Sequence, residues 1–247
     1  MKLAIVTGAS KGLGASIAEQ LLDAGLGVFT LSRTKNKRLE EKARQSTKIY
    51  KHFTCNLASV NDIEQTMLQM IVSGQDLNIS TIYLFNNAAV IKPIANAGSI
   101  NHSDLIHHTQ VNFNAPVMIT NMLLKQAKVP CQIINISSSA GKRPLQGWSI
   151  YNSMKAAINM FTKTVALEQK SAGTDHKIIS FNPGIMDTPM QETIRSSTRE
   201  AFHDLERFKS YKEKGLLQSP AKVASSLINL CLHEEMISGH IYHISDF

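Results

Sequence analysis

Residues 2–7, KLAIVT, form a short apolar run, and comparable runs recur at 28–32 (VFTLS), 49–56 (IYKHFTCN), 81–88 (TIYLFNNA), 131–138 (CQIINISS) and 176–184 (HKIISFNPG). Runs of this length without strict alternation predict strands buried on both faces. Between them, apolar residues at helical spacing predict helices over 16–25, 61–73, 102–128 and 151–173, with a last one at 221–235. Short strands alternating with helices predict an α/β fold of Rossmann type, a doubly wound parallel sheet flanked by helices on both faces. No proline- or serine-rich linker, repeat or low-complexity tract divides the sequence, so residues 1–247 are expected to form one domain. One segment breaks the rhythm. Residues 191–220 are charged and helix-prone, and an insertion beyond a strand's carboxyl end lies where such sheets bind ligands. Residues 189–218 are therefore expected to cover a substrate cleft.

The first strand runs into Thr7-Gly8-Ala9-Ser10-Lys11-Gly12-Leu13-Gly14 and then a helix. In that context the glycines permit a tight turn and close approach of a pyrophosphate to the unpaired N–H groups of a helix amino terminus. A unit built for NAD places Asp or Glu about twenty residues further on, to accept from the ribose 2′-hydroxyl. Here that corner reads Ser32-Arg33, with no acid. A guanidinium at Arg33, helped by Lys11, suits a 2′-phosphate, which favours NADPH/NADP+ over NADH. The charge distribution agrees. Of the net +7, a surplus of +6 lies between Arg33 and Lys51, where eight Lys and Arg face only Glu40 and Glu41. The excess begins at the 2′-phosphate corner, so a small anionic cofactor accounts for it, and neither nucleic acid nor a membrane surface is expected as a partner.

The helix at 151–173 opens with Tyr151 and Lys155 one turn apart on one face. A phenol, with an ordinary pKa of about 10, is a poor acid or base at neutral pH until a nearby ammonium stabilises its anion. Ser138, ending the 131–138 run, is placed to hold a substrate carbonyl, and Asn112 to tie a water to the lysine. For the substrate pocket the candidates are Ser138, Ser139, Leu145, Trp148, Met186 and Met190. Trp148, three residues before Tyr151, either faces an aryl ketone or packs in the core or a dimer interface. The two methionines either form an adaptable apolar wall or pack the 189–218 segment.

TGASKGLG, Asn86-Asn87-Ala88, the Asn112/Ser138/Tyr151/Lys155 set and PGIMDT resemble, in order and spacing, the short-chain dehydrogenase/reductase family over essentially the whole chain. The resemblance implies that Tyr151 is the general acid for carbonyl reduction. By the same resemblance Lys155 lowers its pKa and binds the nicotinamide ribose, Ser138 orients the carbonyl, and Asn112 anchors a relay water. It places Asn86 near the adenosine ribose and Thr188 near the carboxamide. Further cofactor contacts are implied for Gly8, Ser10, Lys11, Gly12, Leu13, Gly14, Arg33, Asn56, Leu57, Asn87, Ala88, Pro183, Gly184 and Ile185. Two positions depart from the family pattern: Ala89 replaces a usual glycine, and Asn56 replaces the usual aspartate facing the adenine. KRPLQGWSIYNSMKAAINMFT, NPGIMDTPMQETIRSS and DLERFK are similar to the sepiapterin-reductase-like branch. Within it they resemble bacterial enzymes that reduce one carbonyl of an aromatic 1,2-diketone, benzil to (S)-benzoin. A small carbonyl substrate is implied, as is a homodimer or homotetramer through the helices carrying Asn112 and Tyr151.

Composition adds exclusions. A hydrophobic content of 43% with 18% charged residues is that of a globular chain. No apolar stretch approaches the ~20 residues of a membrane span. The opening apolar run is too short for a signal peptide, so a cytoplasmic location is expected. Cys55, Cys131 and Cys231 are odd in number and far apart, unlike a disulfide framework or zinc knuckle. The nine histidines lack metal-ligand spacing, and no metal site is expected.

Overall fold

The computed structural model describes residues 1–46 and 48–247. In chain order the elements are β1 (Lys2–Thr7), α1 (Gly12–Asp23), β2 (Gly27–Ser32), α2 (Lys37–Ser46), β3 (Tyr50–Thr54), α3 (Val60–Gly74), β4 (Thr81–Asn86), α4 (His102–Thr109), α5 (Ala115–Gln126), β5 (Cys131–Ile136), α6 (Ser149–Ser171), β6 (Lys177–Asn182), α7 (Pro189–Arg195), α8 (Leu205–Glu213), α9 (Pro220–His233) and β7 (Ile241–His243). The strands form one seven-stranded sheet in the order β3-β2-β1-β4-β5-β6-β7, and every pairing is parallel. The chain leaves β1 in one direction and returns to its other side at β4. That reversal opens a crevice at the carboxyl ends of the two strands, where sheets of this kind bind ligands.

The unbroken apolar runs are explained by the two layers. Along β1, Ala4 and Val6 pack with residues of α1, α2 and α9, whereas Leu3 and Ile5 pack on the opposite face with α3 and α5. Both faces are covered, so neither parity of the strand can be polar. A third, smaller cluster joins Ile194, Phe202, Leu205 and Phe208 of the α7–α8 region to Ile91, Ala140, Trp148 and Tyr151. The same region is pinned to the loop after β6. Met186 and Gln218 form a parallel bridge, and Lys212 Nζ lies 2.6 Å from the Asp187 carboxylate.

Two expectations need correction. The stretch 102–128 is not one helix, since α4 and α5 are separated by a π turn at Gln110–Asn114. Pro116 lacks the N–H that an α-helix would direct at the Asn112 carbonyl, and both the Asn112 amide oxygen and nitrogen bond to the backbone of Val90. The final strand β7 was also unanticipated: three half-buried residues are too few to display a pattern. Among the described residues, no helix is long and apolar enough to cross a membrane.

Gly147 marks where the α7–α8 connection seats on the loop before α6. Its φ is +83°, and a Cβ there would stand 1.9 Å from the Ala201 carbonyl oxygen. Gly147→Ala is expected to destabilise the fold by about 1–3 kcal/mol and to raise proteolytic cleavage within 196–204. Calorimetry and limited proteolysis check this; an unchanged midpoint with unchanged cleavage would show that the seat is not tight.

Candidate active site

The crevice beyond β1 and β4 is a cleft of about 570 Å³. At one end lies the turn between β1 and α1. A Cβ on Gly14 would fall 2.5 Å from the Gly8 carbonyl oxygen and 2.4 Å from Asn87 Nδ2, so only glycine lets the helix start this close to the strand. The residue preceding the helix, Lys11, makes no side-chain cap bond, and the first turn of α1 carries no acid. The amino-terminal partial charge of α1 is thus uncompensated where Gly12 and Leu13 border the cleft. Lys11 and Arg33 line the same end, and neither has an ion-pair partner among the described residues. Four other members of the basic cluster are neutralised locally. Arg38 pairs with Glu19 at 2.8 Å, Lys42 with Asp23 at 2.6 Å, Arg44 with Glu41 at 2.8 Å, and Lys35 with Glu40. A backbone cradle with two unspent cations fits a pyrophosphate and a further phosphate group.

At the other end, Tyr151, Lys155 and Ser138 converge. Lys155 is 4% exposed, its Nζ donates to the Ile136 carbonyl at 2.7 Å, and it stands 5.6 Å from the centre of the Tyr151 ring. Burial pulls this ammonium down to about 8. Burial likewise pushes the Tyr151 phenol up to about 12, opposed only by its hydrogen bond with Ser138. In the protein alone, desolvation thus sets the direction of the phenol's shift, upward from its ordinary 10.0.

The cleft is lined by every sequence-predicted site residue except Gly14, Asn86 and Asn112. Gly14 lies behind the turn it permits. Asn112 sits in the π turn, where its Oδ1 accepts from Val90 N and its Nδ2 donates to Val90 O, both at 2.8 Å. Its Nδ2 also meets His108 Nε2 at 2.5 Å, so both amide hydrogens are committed within the protein. Asn86 is a further correction. Strand alternation turns it inward, where its Nδ2 donates to Asn135 at 2.9 Å and Thr120 at 3.2 Å, while Asn87 takes the place on the cleft wall. Trp148 borders the cleft and also stacks on Phe202 (4.8 Å, 15°), edge-on to Tyr151 at 5.3 Å. Met186 and Met190 likewise both line the cleft and pack against core residues. Sequence reasoning missed Val90, Ile91, His107, Ile194 and Phe208 on the same wall. Phe208 was findable, as the lone aromatic of DLERFK; the others are brought in by loops and helix ends with no signature of their own.

Comparison with known proteins gives consistent results. Residues 2–199 match the family model described as short chain dehydrogenase. The chain is 39% identical over 250 residues to the benzil reductase ((S)-benzoin forming) of Bacillus subtilis, and 37% identical over 249 residues to that of Bacillus cereus, covering 100% of both chains in each case. A solved short chain dehydrogenases/reductase from Saccharomyces cerevisiae superposes with a TM-score of 0.86 at 26% identity, covering 100% of this chain and 97% of that one.

The burial of Tyr151 sets an expectation for titration. The ultraviolet ionisation difference between wild type and Tyr151→Phe should stay flat through the ordinary tyrosine value of 10.0 and rise only toward about 12. Ionisation of that phenol near neutrality in the ligand-free protein would contradict the desolvation account.

Proposed function

The chain belongs to the short-chain dehydrogenase/reductase family, and on that premise we propose that it is an NADPH-dependent carbonyl reductase acting on a small aromatic or vicinal diketone, of the benzil-to-(S)-benzoin kind. The observation that carries this reading is a cleft with a buried, protonated phenol beside Lys155 and Ser138 at one end and the unpaired Lys11 and Arg33 at the other. Gly8, Gly12 and the amino terminus of α1 would hold the pyrophosphate. Arg33 and Lys11 would take the 2′-phosphate, Asn56 and Leu57 the adenine, and Lys155 the nicotinamide ribose. Asn87, Ala88, Pro183, Gly184, Ile185 and Thr188 would line the remainder. When bound, the reduced nicotinamide supplies the hydride that reaches the carbonyl carbon.

The protein's own part is proton control. Ser138 donates to the carbonyl oxygen and orients it; Tyr151 then passes its proton to that oxygen. The nearby Lys155 charge stabilises the phenolate as it forms, and a water held between Lys155 and the Asn112 carbonyl, which lacks its α-helical donor because residue 116 is proline, returns a proton. Leu145, Trp148, Met186, Met190 and Phe208 supply an apolar wall suited to aryl groups, and residues 189–218 serve as its cover. Exposed apolar residues on the long helices, Ile106 of α4 and Met160 and Leu167 of α6, support self-association as a homodimer or homotetramer.

The test is NADPH oxidation against diketones, pterins and simple ketones, with NADH alongside. Benzil or a related diketone should turn over, and Tyr151→Phe should cost about 10²–10⁴-fold; undiminished turnover by that variant would exclude the mechanism. Arg33→Asp should raise the KM for NADPH by about tenfold or more, the loss of one charge-assisted bond, while sparing NADH. Equal losses with both cofactors would remove the role given to Arg33.

A further inference from the structure

His108 lies in the last turn of α4, four residues before Asn112, and is fully buried. A buried imidazole requires partners for both ring nitrogens. Its Nδ1 is 2.9 Å from the Lys92 carbonyl, which only accepts, so Nδ1 carries the proton. Nε2 is then a bare acceptor, and it receives an Asn112 Nδ2 hydrogen at 2.5 Å. The Asn112 amide cannot be turned around, because its Oδ1 takes the Val90 N–H and its other hydrogen goes to the Val90 carbonyl. One tautomer of one residue and one orientation of the other satisfy this arrangement. The same imidazole meets the Tyr151 ring edge-to-face, at 6.0 Å and 87°.

We propose that His108 is a positioning residue of this reductase site: as the neutral Nδ1–H imidazole it locks Asn112 in the π turn and backs the Tyr151 ring, and taking up a second proton undoes the lock. The inference rests on the carbonyl-reductase reading above. An imidazolium has only donors, so its Nε2–H would confront the Asn112 Nδ2–H. Relief requires the amide to rotate, which sacrifices the paired bonds to Val90 and shifts the backbone that holds the relay water. The groups that act on His108 are His107 on its own helix, Tyr151 and Lys155 on α6, and the Lys92 carbonyl in the loop after β4. Burial first, and then the Lys155 and His107 charges, hold it below its ordinary 6.5, although the Lys92 bond opposes them.

The sign of the pH effect follows. Reduction uses the protonated phenol, which acid preserves, so Tyr151 produces no loss of rate on the acid side. Protonation of His108 does, below 6.5. The unfolded chain accepts that proton more readily than the folded one, so the stability contributed by the neutral imidazole is intact above 6.5 and is lost as pH falls through the lower folded value.

Rates of NADPH-dependent reduction would be measured from neutral to acid pH for wild type, His108→Leu and His108→Gln, with activity after return to neutral pH separating inhibition from unfolding. Leucine fills the space without polar atoms. It is expected to lower kcat at least about tenfold, leave the KM for NADPH nearly unchanged, and abolish the acid limb. Glutamine donates and accepts without titrating in this range; it should restore most of kcat and also lack the acid limb. Nitrogen-15 NMR gives a readout independent of turnover: a neutral Nδ1–H tautomer at neutral pH, with the Asn112 side-chain amide shifting in step as His108 protonates. An acid limb retained in the glutamine variant, a wild-type kcat in the leucine variant, or an Nε2–H tautomer would overturn the inference. Inactivity of the wild type toward every carbonyl would refute the reductase reading instead, and the NMR result would still decide the role of His108.

Discussion

Burying the Lys155 ammonium is the constraint around which the active-site half of this protein is built. A desolvated charge costs several kcal/mol unless polar atoms meet it. The carbonyl of Ile136, at the end of β5, does so at 2.7 Å. That bond ties α6 to the centre of the sheet and aims one face of the helix at the cleft, and Tyr151, one turn earlier, is carried into position by the same docking. Desolvation then acts on both groups in opposite senses, lowering the ammonium to about 8 and raising the phenol to about 12. Both shifts are products of burial and are in place before any ligand arrives.

The rest of α6 is docked in the same polar manner. Asn159 accepts from the Ser137 hydroxyl at 2.6 Å, and Thr162 lies 2.9 Å from both Asn135 Nδ2 and Ser180 Oγ. Asn135 in turn accepts from Asn86 at 2.9 Å. Lys155, Asn159 and Thr162 therefore form a buried polar stripe that locks the helix to β4, β5 and β6, while Met160 and Leu167 of the same helix are largely exposed. Directional bonds of this kind define the rotation of the helix more sharply than apolar contact alone.

This inversion explains much of what was and was not legible. Alternating strands and helices, the glycine turn, the serine, the tyrosine–lysine pair and the arginine corner each depend on residues close in sequence, and each stands where the pattern placed it. The errors share another origin. Asn86 and Asn87 are adjacent and chemically identical, and only the pleat of β4 decides which faces the cleft. The break between α4 and α5 depends on Val90, which lies in a loop that the helix reaches only after folding. The charge of the basic segment was legible in total but not in allocation, because Glu19 and Asp23, which neutralise Arg38 and Lys42, belong to the preceding helix.

By itself the sequence determined the α/β alternation, the glycine turn and the chemical identity of the groups that line the cleft, because these follow from periodicity and short-range spacing. The tertiary structure alone decided which polar groups are buried. It turned Asn86 and Asn112 inward, left Arg33 and Lys11 on the cleft without an ion-pair partner among the described residues, drew Phe202 and Phe208 onto Trp148, and gave His108 its partners. The physical reason is that protonation, hydrogen-bond satisfaction and desolvation depend on the full surroundings of an atom, and those surroundings come from segments that the chain brings together only when the sheet closes.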